Sequence, residues 1–392
     1  MTGKAIRYIL AGVAVGAVLG LAGHAMAQSC QALPDRAEAD KRENILLSDM
    51  GSFFFGGSVR TANNGDTFHS DHGYAQYFVP ARSRNLPLVM WHGFGQSGKT
   101  WESTQDGRDG FWQMFTRKNW PVYIIDQPRR GRAARTEATS GQTSHQTAVE
   151  GEAARWGNFR MGDWRPPAKP EYFPGVQLPQ DAASLGQFMR QQVPNSGAEP
   201  FPDAAHREFM GAAAAKLFER TGPAILMTHS HSGQYGWVAA MKRPDLVRAI
   251  ISFEPGEFAF PEEEPPADIP TPNATLARYL APQFVPAAAF RVLTRMPILI
   301  LYGDYITNTP STEYGPELWR MAKLRAAQFV DAVNRHGGDA TLMDLPAQGI
   351  CGNTHFIMSD INNGRVVTQL SRYLAAKSLD GQDRPYRGPT PE

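Results

Sequence analysis

Residues 227–237 read MTHSHSGQYGW and set histidine and serine alternately at four consecutive positions, His229 to Ser232. The stretch follows the apolar PAIL and leads into the helix-friendly WVAAMKRPDLV. Three chemistries fit these residue types: a His-x-His metal pair, a polar turn with no chemistry, or a serine nucleophile. A nucleophile on a tight strand-to-helix turn needs small residues two positions before and after it, because strand and helix backbones approach closely there. With Ser230 as nucleophile those positions are Thr228 and Ser232; with Ser232 they are Ser230 and the bulkier Gln234. Ser230 also stands directly after the apolar run, where the turn must fall, so Ser230 is the expected nucleophile. A metal would need further ligands. The other histidine-rich stretch, HSDH at 69–72, is far off in sequence, so neither metal nor organic cofactor is expected. His229 is then buried support beneath the turn, and His231 acts through its backbone N–H.

A serine needs a base to take its proton, and the base needs an acid to fix its tautomer. CGNTHFIM puts His355 in a loop between the last strand-like run and the last helical one. That makes it the last of three partners in the order serine, acid, histidine. Two acids stand at strand ends: Glu254 in ISFEPGE and Asp304 in LYGDYI. Asp304 follows the later strand, the more usual place. Glu254 ends a buried strand, where an ionisable group needs a reason. The residues alone leave both open. The developing oxyanion needs backbone N–H donors, and WHGFGQSG offers Phe94 N–H as partner to His231 N–H.

These groups require a scaffold that presents strand ends together. Apolar runs at 86–93, 121–133, 223–230, 247–256, 296–304 and 340–346 read as strands buried on both faces. GSFFFGG (51–57) and GYAQYFVP (73–80) read as an antiparallel start. Helical segments at 203–222, 316–338 and 364–377 lie between and after them, the first opening on the N-cap Asp203 and closing on Gly222. The pattern is α/β, and ligands of open parallel sheets bind at the carboxyl ends of the strands. Residues 134–202 and 257–295 break the alternation and are long enough to be lids or binding loops. Trp156, Trp164 and Phe173, from the first of them, are candidates to line an acyl or alcohol pocket, with local packing as the alternative.

The whole chain of 392 residues carries a formal charge of +1 and no long basic run, which gives no footprint for nucleic acid. Lys4 and Arg7 precede YILAGVAVGAVLGLAG and then AMA, a secretory signal expected to be cleaved before Gln28. Residues 1–27 are thus a signal peptide, no stable membrane anchor is expected afterwards, and the mature protein is secreted or periplasmic. In such a compartment Cys30 and Cys351, the two cysteines, can pair as a disulfide or stay as thiols. A homodimer is one further expectation.

HGFG, DQPRRGR, THSHSG, FEPG, YGD and GNTHF, in this order, make residues 50–378 resemble an α/β-hydrolase, with residues 28–392 as one domain carrying the two insertions. More narrowly the chain resembles secreted bacterial carboxylesterases with a Ser-Glu-His triad, some of which de-esterify herbicide-type methyl or ethyl esters. The resemblance moves the expected acid to Glu254, with Asp304 as alternative. Thr228 and Ser232 depart from the family's glycines. It implies a serine carboxylesterase acting on a small or medium-sized ester through an acyl-enzyme on Ser230. The same triad also serves acyltransferases, lactonases and amidases, and a non-catalytic binding protein could keep this fold.

Overall fold

Strands that are apolar without interruption need cover on both faces, and this chain supplies it. The computed structural model describes residues 44–135 and 151–390. A hairpin of β1 (Leu47–Thr61) and β2 (Thr67–Pro80) comes first, followed by β3 (Leu88–Trp91), α1 (Phe111–Arg117) and β4 (Val122–Asp126). The first insertion holds α2 (Glu152–Asn158), the pair β5 (Gly162–Asp163) and β6 (Glu171–Tyr172), and α3 (Ala182–Arg190). Next come α4 (Ala204–Thr221), β7 (Ala224–His229), α5 (Ser232–Lys242) and β8 (Val247–Phe253). The second insertion contains β9 (Ala259–Pro261), α6 (Ala274–Tyr279), β10 (Gln283–Val285) and α7 (Ala287–Phe290). The chain then runs through β11 (Pro297–Tyr302), α8 (Tyr314–Arg335), β12 (Asp339–Asp344) and α9 (Asn363–Ala376).

Eight strands form one sheet in the order β1-β2-β4-β3-β7-β8-β11-β12. β2 pairs antiparallel with both β1 and β4, and every later pairing in this sheet is parallel. Side chains alternate between two cores. One face sets Val89, Leu226, Ile250 and Ile300 against α4, α5 and α8 through Leu217, Trp237 and Phe329. The other sets Met90, Ile225, Ile251 and Leu301 against α1 and α9 through Phe115 and Leu370. Each such Leu or Ile contributes roughly 1.5–3 kcal/mol by leaving water, which makes the sheet a rigid platform.

The α/β expectation holds; the parallel strands are shorter than their runs suggested, whereas the hairpin strands β1 and β2 extend well beyond 51–57 and 73–80, to 15 and 14 residues. β4 stops at Asp126 because its carboxylate turns the chain: Oδ1 accepts from Gly98 N (2.6 Å) and Oδ2 from Arg132 N (2.8 Å). α4 keeps the expected ends, with Asp203 Oδ1 accepting from His206 N (2.7 Å) and Gly222 at φ 67°. α8 ends at Arg335, before the Gly337–Gly338 pair. The expected signal peptide and Cys30, hence the Cys30–Cys351 pairing, lie outside the described residues. Among the described residues no helix is long and apolar enough to cross a membrane.

Candidate active site

Ser230 sits between the end of β7 and the start of α5 with φ 54°, in the left-handed region that a sharp strand-to-helix turn requires. Its amide donates to Phe253 O on the neighbouring strand (2.8 Å). Ser232 is buried and committed to the turn: its hydroxyl accepts from His229 N (3.0 Å) and faces Trp91 O (3.1 Å) and His229 O (3.0 Å). Thr228 Oγ1 pairs with Ser252 Oγ across the sheet (2.8 Å). The two residues that replace glycines therefore lock the turn with hydrogen bonds. The room they need is made one helical turn on, at Gly236, where a Cβ would come within 2.8 Å of Thr228 Cγ2. Gly93 is equally confined, since a Cβ there would come within 3.1 Å of Ser230 Cβ.

His355 reaches the same place from the loop between β12 and α9. Its Nδ1 hydrogen-bonds Glu254 Oε2 at 2.6 Å. A carboxylate on Nδ1 fixes the proton there and leaves Nε2 as the basic nitrogen. Burial lowers the His355 pKa below 6.5, while the Glu254 hydrogen bond and charge raise it back in part. Glu254 itself leaves β8 at φ 48° and is fully buried. Burial alone would raise its pKa, but the charge of Arg160 and the bonds from His355 and Arg160 outweigh that and bring it down to about 2. Its Oε1 accepts from Gly303 N (2.7 Å) and from Arg160 Nη2.

Asp304, the other candidate acid, bonds elsewhere. Its Oδ2 accepts from Gly352 N (2.8 Å) and its Oδ1 from Tyr305 N (2.8 Å), which anchors the loop leading to His355. Asp360 braces the same loop through Thr354 N (2.8 Å), Thr354 Oγ1 (2.9 Å) and Asn353 Nδ2 (3.1 Å). His229 lies beneath, as a buried support, with its Nε2 on His355 O at 2.9 Å.

Phe94 follows the Gly93 turn after β3, and His231 caps the N-terminus of α5. Among the described residues neither amide is taken up by a backbone or side-chain acceptor. The His231 ring packs edge-on against Phe94 (5.8 Å) and Phe201 (4.7 Å), and its Nδ1 is 3.4 Å from Glu257 Oε1.

Ser230, His355, His231 and Phe94 all line one cavity of about 280 Å³. Both insertions contribute to its wall, the first with Arg155, Phe159 and Phe201, the second with Tyr279 and Leu280. A larger groove of about 840 Å³ runs along the β1–β2 hairpin, but its lining includes none of these four residues. Trp156, Trp164 and Phe173 do not line the cavity either; of the two roles open to them, local packing is the one observed. Arg155, on α2, and Phe159, just beyond it, face the cavity, whereas Trp156 points the other way, onto Trp164 (5.4 Å) and Tyr172 (4.9 Å). Phe173 stacks on Tyr305 (4.8 Å). Sequence reasoning missed Arg160, Phe159 and Trp319, which surround the His355–Glu254 pair. The sole local signal was a lone arginine in NFRMG, with no motif to single it out. Among the described residues no group of three His, Cys, Asp or Glu is arranged to hold a metal.

Comparison with known proteins adds relatives to this geometry. No family model matches the chain. A solved structure described as a novel bacterial esterase is 29% identical, covers 88% of this chain and 99% of its own, and superposes with a TM-score of 0.67. A probable secreted lipase, phiG, of Fungal sp. (strain ATCC 74256) is 25% identical over 335 residues, 74% of this chain and 82% of its own length.

Proposed function

The chain belongs to the α/β-hydrolase superfamily, and on that premise we propose that it is a serine carboxylesterase working through an acyl-enzyme on Ser230. The observation that carries this reading is the 2.6 Å hydrogen bond from buried Glu254 to His355, which lines the same cavity as Ser230. His355 Nε2 takes the proton of Ser230 as the hydroxyl attacks the ester carbonyl. The Phe94 and His231 amides hold the oxyanion, and the α5 N-terminus adds its dipole. His355 then protonates the leaving alcohol, and a water repeats the sequence on the acyl-enzyme. Glu254 stays ionised throughout and stabilises the imidazolium.

The esterase and secreted-lipase relatives support ester hydrolysis and export. Between the two, the cavity of about 280 Å³ favours small or medium-sized esters, since it sits near the lower end of the ~300–1,000 Å³ typical of small-molecule sites. Export also gives the Cys30–Cys351 bridge its setting: Cys351 lies two residues before Asn353 in the loop that carries His355, so a bridge there would tether that loop. The test is a panel of p-nitrophenyl esters of increasing acyl length with the mature protein. Hydrolysis concentrated in short esters and absent in Ser230→Ala supports the reading. Wild-type activity in Ser230→Ala refutes it.

A further inference from the structure

Three consecutive residues of the first insertion grip the other side of the catalytic pair. Asn158 O accepts from Trp319 Nε1 (2.6 Å), and the Trp319 ring lies 4.1 Å from that of His355. Phe159 O accepts from His355 N (3.0 Å), and the Phe159 ring stacks on the imidazole at 5.8 Å and 21°. Arg160 sends Nη2 to Glu254 Oε1 and Nε to Asp304 O (2.7 Å), with its guanidinium 5.0 Å over Trp319. Arg160 is 2% exposed and holds φ 56°, a backbone region that a long side chain rarely occupies unless its surroundings impose it. A buried guanidinium is unfavourable without a partner, and the carboxylate it has is the candidate acid itself.

We propose that Arg160 is a positioning residue of the triad, which fixes the Glu254 carboxylate against His355 and thereby makes the first insertion part of the catalytic machinery. This rests on the esterase reading above. Glu254 divides its two oxygens among three neighbours: Oε2 serves His355, and Oε1 serves both Arg160 and Gly303 N. Without the Arg160 bond Gly303 N alone holds Oε1, and the carboxylate is free to tilt away from the His355 ring. A forked, planar donor suits this task because it reaches a carboxylate and a backbone carbonyl together, which a single ammonium does not. Charge adds to geometry. The other ionisable groups facing the pair are His229 at the end of β7, Tyr302 on β11 and Asp360 on the His355 loop. Arg160 is the cation that acts on both members, and it opposes protonation of His355. Its loss should therefore raise the pH at which His355 becomes protonated.

The experiment compares wild type, Arg160→Gln and Arg160→Lys as mature protein. It follows kcat and KM against pH on a p-nitrophenyl ester, and the His355 imidazole titration by NMR with labelled histidine. Arg160→Gln should lose about 100-fold in kcat, the scale of a misplaced catalytic group. KM should change little, and the acidic limb and the NMR titration should both move to higher pH. Arg160→Lys should fold, keep the limb near wild type and recover part of kcat. A wild-type kcat in Arg160→Lys, or an unmoved His355 titration in Arg160→Gln, overturns the proposal. If Arg160→Gln does not fold, the kcat of Arg160→Lys decides alone. If the wild type hydrolyses no ester, the esterase reading falls, and the NMR titration still decides the role of Arg160.

Discussion

The β7–α5 turn and the Asn158–Arg160 strip meet at one cavity but are held by opposite means. The turn hangs on the sheet: Ser230 N bonds Phe253 O, and the small side chains of Thr228 and Ser232 lock onto neighbouring strands. The strip belongs to an insertion outside the main sheet, and it is held by long side chains and carbonyls reaching across to α8, to β8 and to the His355 loop. A nucleophile needs a fixed backbone, which a sheet provides. A charge pair needs a tuned environment, which here comes from a segment that looks like a lid in the sequence.

Substitutions can break this comparison at each point. The largest effect is expected on the turn: Ser230→Ala should lower kcat by about 10⁴-fold or more, as loss of a triad nucleophile does, with the melting temperature unchanged. On the acid side, Glu254→Gln should cost about 10²–10⁴-fold in kcat/KM, because the imidazole loses the group that sets its tautomer. Asp304→Asn should cost under about 10-fold, since its oxygens hold a loop rather than the ring. Equal losses would erase the distinction between the two carboxylates.

Smaller effects sharpen the account of the turn. Gly236→Ala forces a Cβ to within 2.8 Å of Thr228 Cγ2, so it should destabilise by about 1–3 kcal/mol. Thr228→Ser removes that methyl and keeps the Ser252 hydrogen bond, so the double variant should recover most of the loss in a denaturation cycle. No coupling between the two sites would show that the turn relaxes elsewhere. The smallest effect concerns pH. Glu254, brought down to about 2 from its ordinary 4.5, favours the folded state above pH 4.5 and ceases to as pH falls through about 2. His355, lowered from 6.5 by burial, is protonated first in the unfolded chain, so folding weakens as pH falls below 6.5. Melting temperature should therefore fall with pH from about 6.5 downward, and the acidic limb of kcat/KM should lie below 6.5. A limb above 6.5 would contradict the buried, neutral His355.

The central sheet was legible because its strands are continuous apolar runs with polar residues at their ends, as in PAILMTHS and VRAIISFEPG. The place of Ser230 on the strand-to-helix turn was legible from the size of its neighbours, and that of His355 in the loop before the last helix from its order in the chain. The choice between Glu254 and Asp304 needed the resemblance, because both stand at strand ends and only the path of the loop decides which reaches the ring. Arg160 was not legible at all. Its role comes from a long-range contact, 94 residues from Glu254, that no local pattern encodes. The role of Trp156 stayed open for a related reason: a one-residue step on α2 turns a side chain about 100°, and sequence alone does not say which face meets the cavity.

The proposed reaction turns on one atom, Ser230 Oγ, which would carry the acyl group. A fluorophosphonate that reacts with activated serines, followed by digestion and peptide mass mapping, reads it out. One adduct should appear, on Ser230 within MTHSHSGQYGW, and it should vanish in Ser230→Ala while Ser232 stays unmodified. An adduct on Ser232, or ester hydrolysis that survives with Ser230 unlabelled, would contradict it.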